Sequence, residues 1–122
     1  MDHSTGFLNM VNEARPRVKE ISLSEALEKL SDTPGAVLLD VREDYEWNAG
    51  HVKKATHLGR GVLERDIEKR FPDKATPLLM YCGGGFRSVL AADSAQKMGY
   101  NNVFSIEGGY KAMQDSGWPI ET

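Results

Sequence analysis

The sequence holds 122 residues, 40% of them apolar and 27% charged, which gives room for one compact domain and excludes a disordered chain or an enzyme with a separate cofactor half. With 15 Lys and Arg against 18 Asp and Glu the formal charge is −3, which argues against binding of nucleic acid through a broad basic surface. The single cysteine, Cys82, excludes an intrachain disulfide and a cysteine-pair zinc site, and His3, His51 and His57 lack the paired spacing of a metal site. No apolar run approaches the roughly 18 residues of a membrane span. Residues Met1-Asp2-His3-Ser4 carry no basic segment ahead of an apolar one, so no secretion signal, no membrane association and a cytoplasmic location are expected.

Along the chain, Thr5 is a candidate N-cap, and Phe7, Leu8, Val11 and Ala14 share one face of a helix over 5–15 that Pro16 stops. A weak strand over 18–21 precedes Ser22 and Glu25, which stand three apart as a capping box. Leu23, Ala26, Leu27 and Leu30 then follow at helical spacing, and Asp32-Thr33-Pro34-Gly35 is turn chemistry. Residues 36–41 form an unbroken apolar run apart from Asp40, the pattern of a strand covered on both faces. A short helix over 43–49 ends at Gly50, a strand is expected over 55–58, and Leu63, Ile67 and Phe71 mark a helix over 61–71 closed by Pro72. A second buried strand over 77–82 leads through three glycines into a helix over 86–98. A last strand over 103–106 and a helix over 110–114 follow, joined by Gly108-Gly109. Strand and helix alternate, so the fold class is α/β, with a small parallel sheet covered on both faces.

The chemistry concentrates at Cys82-Gly83-Gly84-Gly85-Phe86-Arg87-Ser88. In an open α/β sheet ligands bind beyond the carboxyl ends of the strands, where Cys82 falls. Successive glycines allow backbone angles that turn several N–H groups toward one point, and the N-terminus of the following helix adds partial positive charge there. Such a cup favours a sulfur anion or an oxyanion. Taken alone, a cysteine on a buried strand is only a small apolar residue. Arg87 adds weight, because a cation in the first helical turn opposes the dipole and calls for an anion. That anion is either a ligand or a structural carboxylate, and the sequence leaves both open.

With these residues in view, the stretch from about residue 18 to 119 resembles the rhodanese-like single-domain sulfurtransferases. Residues 82–88 look like that family's active-site loop. Asp40-Val41-Arg42-Glu43 with Glu46-Trp47 and Gly50-His51-Val52 is similar to its upstream signature, and Ile106-Glu107-Gly108-Gly109-Tyr110 with Gly117-Trp118-Pro119 to its downstream one. Lys54 stands where the family commonly has glycine, and Met113 where it commonly has tryptophan.

The resemblance implies a three-layer domain over 17–122, with a mostly parallel five-stranded sheet between helices, preceded by an N-terminal helical extension over 1–16. It implies Cys82 as the catalytic nucleophile that carries a persulfide, and Gly83, Gly84, Gly85, Phe86, Arg87 and Ser88 as the substrate-binding loop. The partners it implies are a small anionic sulfur donor such as thiosulfate and an acceptor that is cyanide, a thiol or a protein thiol. No cofactor and no metal are expected. Arg42 and Arg60 both follow strand ends and are candidates to attract the donor, while Asp40 is expected to orient loop amides or pair with an arginine. His51, His57, Trp47 and Trp118 read as structural.

Two other readings stay beside this one. A partner-binding or sulfur-sensing module would use the Phe7, Leu8 and Val11 face, unless that face covers the domain's own core. A cysteine phosphatase or arsenate reductase needs five residues between cysteine and arginine to wrap a tetrahedral oxyanion, and only Gly83 to Phe86 intervene here.

Overall fold

The computed structural model describes residues 3–122. Helix α1 (Thr5–Ala14) runs into a 3-10 turn (Arg15–Arg17) in which Pro16 occupies a first-turn position that needs no N–H. Thr5 lies inside the helix and Ser4 occupies the cap position without a side-chain hydrogen bond, one residue earlier than expected. Strand β1 (Lys19–Ile21) leads to α2 (Leu23–Asp32), whose capping box forms as read: the Glu25 N–H donates to Ser22 Oγ at 3.1 Å and the Ser22 N–H to Glu25 Oε1 at 3.1 Å. Strand β2 (Val37–Asp40), α3 (Asp44–Ala49), β3 (His51–Val52) and β4 (Thr56–His57) follow. The expected helix over 61–71 divides into a 3-10 turn (Arg60–Val62) and α4 (Leu63–Arg70). Strand β5 (Leu78–Tyr81), α5 (Arg87–Lys97), β6 (Val103–Ile106), α6 (Gly109–Asp115) and β7 (Ile120–Glu121) complete the chain.

The main sheet has five strands in the order β1-β6-β5-β2-β4, and every pair is parallel. Strands β3 and β7 form a separate antiparallel pair, His51 opposite Glu121 and Val52 opposite Ile120. Two-residue strands carry too little alternation to be read from sequence. The pleat sorts strand residues between two cores. Leu39, Val41, Leu78, Met80 and Cys82 pack with Leu63 and Ile67 of α4, Val89 and Ala92 of α5, and Val11 and Ala14 of α1. Leu38, Leu79, Tyr81 and Ile106 face the other way, toward Ala26 of α2, Met113 of α6 and Trp118. These are the three layers of the expected α/β domain, and the sheet is wholly parallel.

The expected extension over 1–16, of which Met1 and Asp2 lie outside the described residues, shares this core. Val11 is fully buried and Ala14 nearly so, on the face that the spacing of Phe7, Val11 and Ala14 marks out. A bidentate ion pair fixes the end of the segment: Arg17 Nε donates to Asp93 Oδ1 at 2.9 Å and NH2 to Oδ2 at 2.8 Å, with Gln96 Nε2 donating to the Arg17 carbonyl at 2.8 Å.

Candidate active site

Cys82 follows directly on β5 at the carboxyl edge of the sheet, where Tyr81 stands in register with Asp40 of β2. Its side chain is only 1% exposed, yet it lines an open cleft of about 870 Å³. Two backbone amides point at the sulfur: the Gly85 N–H at 3.2 Å and the Ser88 N–H at 3.3 Å. The thiol also reaches Ser88 Oγ at 3.5 Å, and that hydroxyl exchanges a 2.7 Å hydrogen bond with Ser105 Oγ of β6. The thiol donates to that hydroxyl, and the two N–H groups aimed at the sulfur are the donors that a sulfur anion formed during reaction would use.

The loop owes this orientation to α6. The Tyr110 N–H donates to the Cys82 carbonyl at 2.7 Å and the Lys111 N–H to the Gly83 carbonyl at 3.1 Å. With those carbonyls held toward α6, the loop turns later amides back toward the sulfur. Two glycines make the approach feasible. Gly85 has φ +94°, and a Cβ there would sit 3.1 Å from the Gly108 nitrogen. Gly109 has φ +56°, and a Cβ there would collide with the Cys82 carbonyl oxygen and lie 2.9 Å from the Gly83 carbonyl.

Arg87, at the start of α5, is bidentate on Glu46 of α3: NH1 donates to Oε1 at 2.7 Å and NH2 to Oε2 at 3.0 Å. Of the two anions the sequence left open, the structure shows the carboxylate. Hydrogen bonding to Arg87 holds Glu46 below the usual carboxylate range, and the same pair holds the guanidinium charged. Glu46 also accepts the Glu43 N–H at 3.1 Å, so α3 and the cysteine loop are tied through one side chain. Both residues of the pair line the cleft, as do Gly83, Gly84 and Phe86 of the loop. Gly85 and Ser88 lie beneath, against the sulfur.

The remaining sequence candidates sit at the same edge but outside the cleft. Asp40 and Arg42 are both buried and paired, with Arg42 Nε at 3.1 Å from each carboxylate oxygen and NH2 at 2.8 Å from Oδ2. Arg42 NH2 also donates to the Gly50 carbonyl at 2.7 Å, and the guanidinium lies 4.0 Å over the Tyr110 ring. Burial, then hydrogen bonding to Asp40, pushes the Tyr81 phenol well above its ordinary range, so it stays protonated while accepting the Val52 N–H at 3.2 Å. Arg60 turns to Glu64 at 3.0 Å and to Ser94 Oγ at 3.3 Å. Strand-end position alone placed both arginines on the rim; a carboxylate within reach draws each of them away from the cleft. His51 stacks on Trp47 at 3.5 Å and its Nδ1 donates to the Trp47 carbonyl at 3.0 Å, while His57 Nε2 donates to the Arg42 carbonyl at 2.8 Å. Among the described residues no group of three or more His, Cys, Asp or Glu could hold a metal ion.

Three contributors carried no assigned role in the sequence reading. Glu46 had a signal, since Arg87 demanded an anion and α3 starts at the same sheet edge. The amides of α6 had one too: Gly108-Gly109 repeats the strand–glycine–helix join of the cysteine loop. Ser105, buried on β6, had none.

Residues 23–116 match the family model described as Rhodanese-like domain. Among curated proteins, a tRNA uridine(34) hydroxylase of Sodalis glossinidius is 30% identical over 106 residues, covering 80% of this chain and 30% of its own length. The chain thus spans less than a third of the curated relatives it matches first. Among solved structures, a protein of unknown function, possible tyrosine phosphatase, from Rhodopseudomonas palustris superposes with a TM-score of 0.86 at 32% identity, covering 99% of this chain and 98% of that one. The polysulfide-sulfur transferase homodimer of Wolinella succinogenes superposes with a TM-score of 0.78 at 28% identity, covering 95% and 87%.

Proposed function

This chain belongs to the rhodanese-like family, and on that premise we propose that it is a sulfurtransferase that carries sulfane sulfur on Cys82. The observation that carries the proposal is the pair of amides, from Gly85 and Ser88, aimed at a sulfur that lines an open cleft. With thiosulfate as donor, the Cys82 thiolate attacks the outer sulfur, the S–S bond of the donor breaks, and sulfite leaves with the bonding pair. Cys82–SH and thiosulfate become Cys82–S–SH and sulfite, so the thiol is oxidised to the persulfide as the donor is reduced. An acceptor such as cyanide or a thiolate then attacks the outer sulfur and Cys82 leaves as thiolate, which the two amides stabilise. Because Cys82 is almost sealed, a donor presents only a terminal sulfur to it.

Hydrolysis of a phosphate ester finds less support, because the arginine such a reaction would aim at the anion is engaged on both oxygens of Glu46. A uridine substrate, named by relatives of which this chain covers only 30%, gains no support from a formal charge of −3. Steady-state turnover tests the proposal. Thiosulfate with cyanide is expected to yield thiocyanate with ping-pong kinetics, and Cys82→Ser to reduce the rate to that of buffer. Turnover retained by Cys82→Ser, or Cys82-dependent hydrolysis of p-nitrophenyl phosphate without thiocyanate formation, contradicts it.

A further inference from the structure

Part of the cleft wall is aromatic, and two of its rings, His3 and Phe7, come from the segment before the residues the family model matches. Phe86, in the cysteine loop, has the His3 ring 4.4 Å away, the Phe7 ring 6.4 Å away, and the Arg15 guanidinium 5.4 Å over its ring. His3, Phe7 and Phe86 line the cleft and are each only half-buried, so part of each ring stays open to a ligand. The buried residues of α1 and the Arg17–Asp93 pair hold this wall in place from behind.

The charges of the cleft cancel. Arg87 is paired with Glu46 at 2.7 Å, and Lys111 with Asp115 at 3.3 Å. Arg15, over the Phe86 ring, faces Glu20 at 3.7 Å, so among the described residues each cation at the cleft or its aromatic wall has a carboxylate beside it, and a doubly charged inorganic donor gains little there. The cleft, at about 870 Å³, is also of the size that holds drug-like organic ligands and far exceeds a five-atom ion. Resting on the sulfurtransferase reading, we infer that α1 is a specificity element: Phe7 and His3, with Phe86, bind the apolar or aromatic body of an organic sulfane-sulfur donor of low charge while its terminal sulfur reaches Cys82.

Thiosulfonate anions test this, because the aryl and methyl forms share charge and reactive group. In the loading step Cys82–SH and RSO2S− become Cys82–S–SH and RSO2−. The sulfonyl–sulfane bond breaks, the Sγ–S bond forms, and the sulfinate leaves with the electron pair. The readout is the ratio of kcat/KM for benzenethiosulfonate to that for methanethiosulfonate, with cyanide as acceptor. A ratio well above one is expected for the unmodified chain, falling about fivefold in Phe7→Ala, which corresponds to about 1 kcal/mol for one aromatic contact. Phe7→Leu, which preserves apolar packing on the core, should fall partway, and Met10→Ala, 61% exposed on the same helix, should keep the ratio. A ratio near one, or one unchanged in both Phe7 variants while Cys82 is still loaded, overturns the inference and leaves the sulfurtransferase reading standing. Failure of every donor to load Cys82 overturns both.

Discussion

At the residue scale, the sulfur is governed by a few atoms: two amides, one hydroxyl and the carbonyls that α6 holds aside. The cysteine, the glycines and the arginine were all legible in sequence, because each is a departure from what a strand-to-helix join needs. Which amides converge was not legible, since that depends on Gly85 adopting φ +94° against the Gly108 turn. Lys54 shows the same coupling of residue type to backbone. It stands where the family resemblance led one to expect glycine, and it has φ +72°, the one positive value at a non-glycine among the described residues. A side chain there costs about 1 kcal/mol, while glycine would lose roughly 0.5 kcal/mol through unfolded-chain entropy. Lys54→Gly is therefore expected to raise the unfolding free energy by about 0.5 kcal/mol in urea titrations; a loss of stability would contradict the strain.

At the scale of elements, the active-site loop is a joint between β5, α5 and α6, and α6 matters as much as the loop's own glycines. Gly109→Ala would drive a methyl group into the Cys82 and Gly83 carbonyls. It is expected to cost about 2–4 kcal/mol in urea unfolding and to slow sulfur loading, since the carbonyls and then the amides must shift. Gly35→Ala separates the causes, because Gly35 has φ +79° with nothing within 4 Å of the added methyl. It should cost only about 1 kcal/mol, and equal losses at the two sites would argue that no steric contact holds the loop. The long elements followed from periodicity and capping, as the Ser22–Glu25 box illustrates. The β3–β7 pair did not, because two-residue strands are made by tertiary contact; pairing of Asp40 with an arginine was expected from sequence, but the added contact of Arg42 with the Gly50 carbonyl, eight residues on, was not.

For the whole molecule, acid is the condition that should loosen both the cleft and the helix that walls it. Glu46 and Asp93 are each held below their ordinary values, 4.5 and 3.8, chiefly by hydrogen bonds to Arg87 and Arg17. A carboxylate depressed on folding contributes its full stabilisation above its unfolded value and loses it as pH falls through the lower folded value. Stability should therefore decline from about pH 4.5 downward, and Glu46→Gln should lie lower at neutral pH and decline less steeply below it. Parallel curves for the two proteins, from chemical denaturation at each pH, would show that the pair contributes nothing. Intact-mass measurement tests most directly whether Cys82 carries the sulfur. After incubation of the reduced protein with a sulfane donor and removal of excess, a gain of one sulfur atom is expected, located to the Cys82 peptide, lost on addition of cyanide and absent in Cys82→Ser. An unchanged mass with every donor, or the same gain in the serine variant, would contradict it.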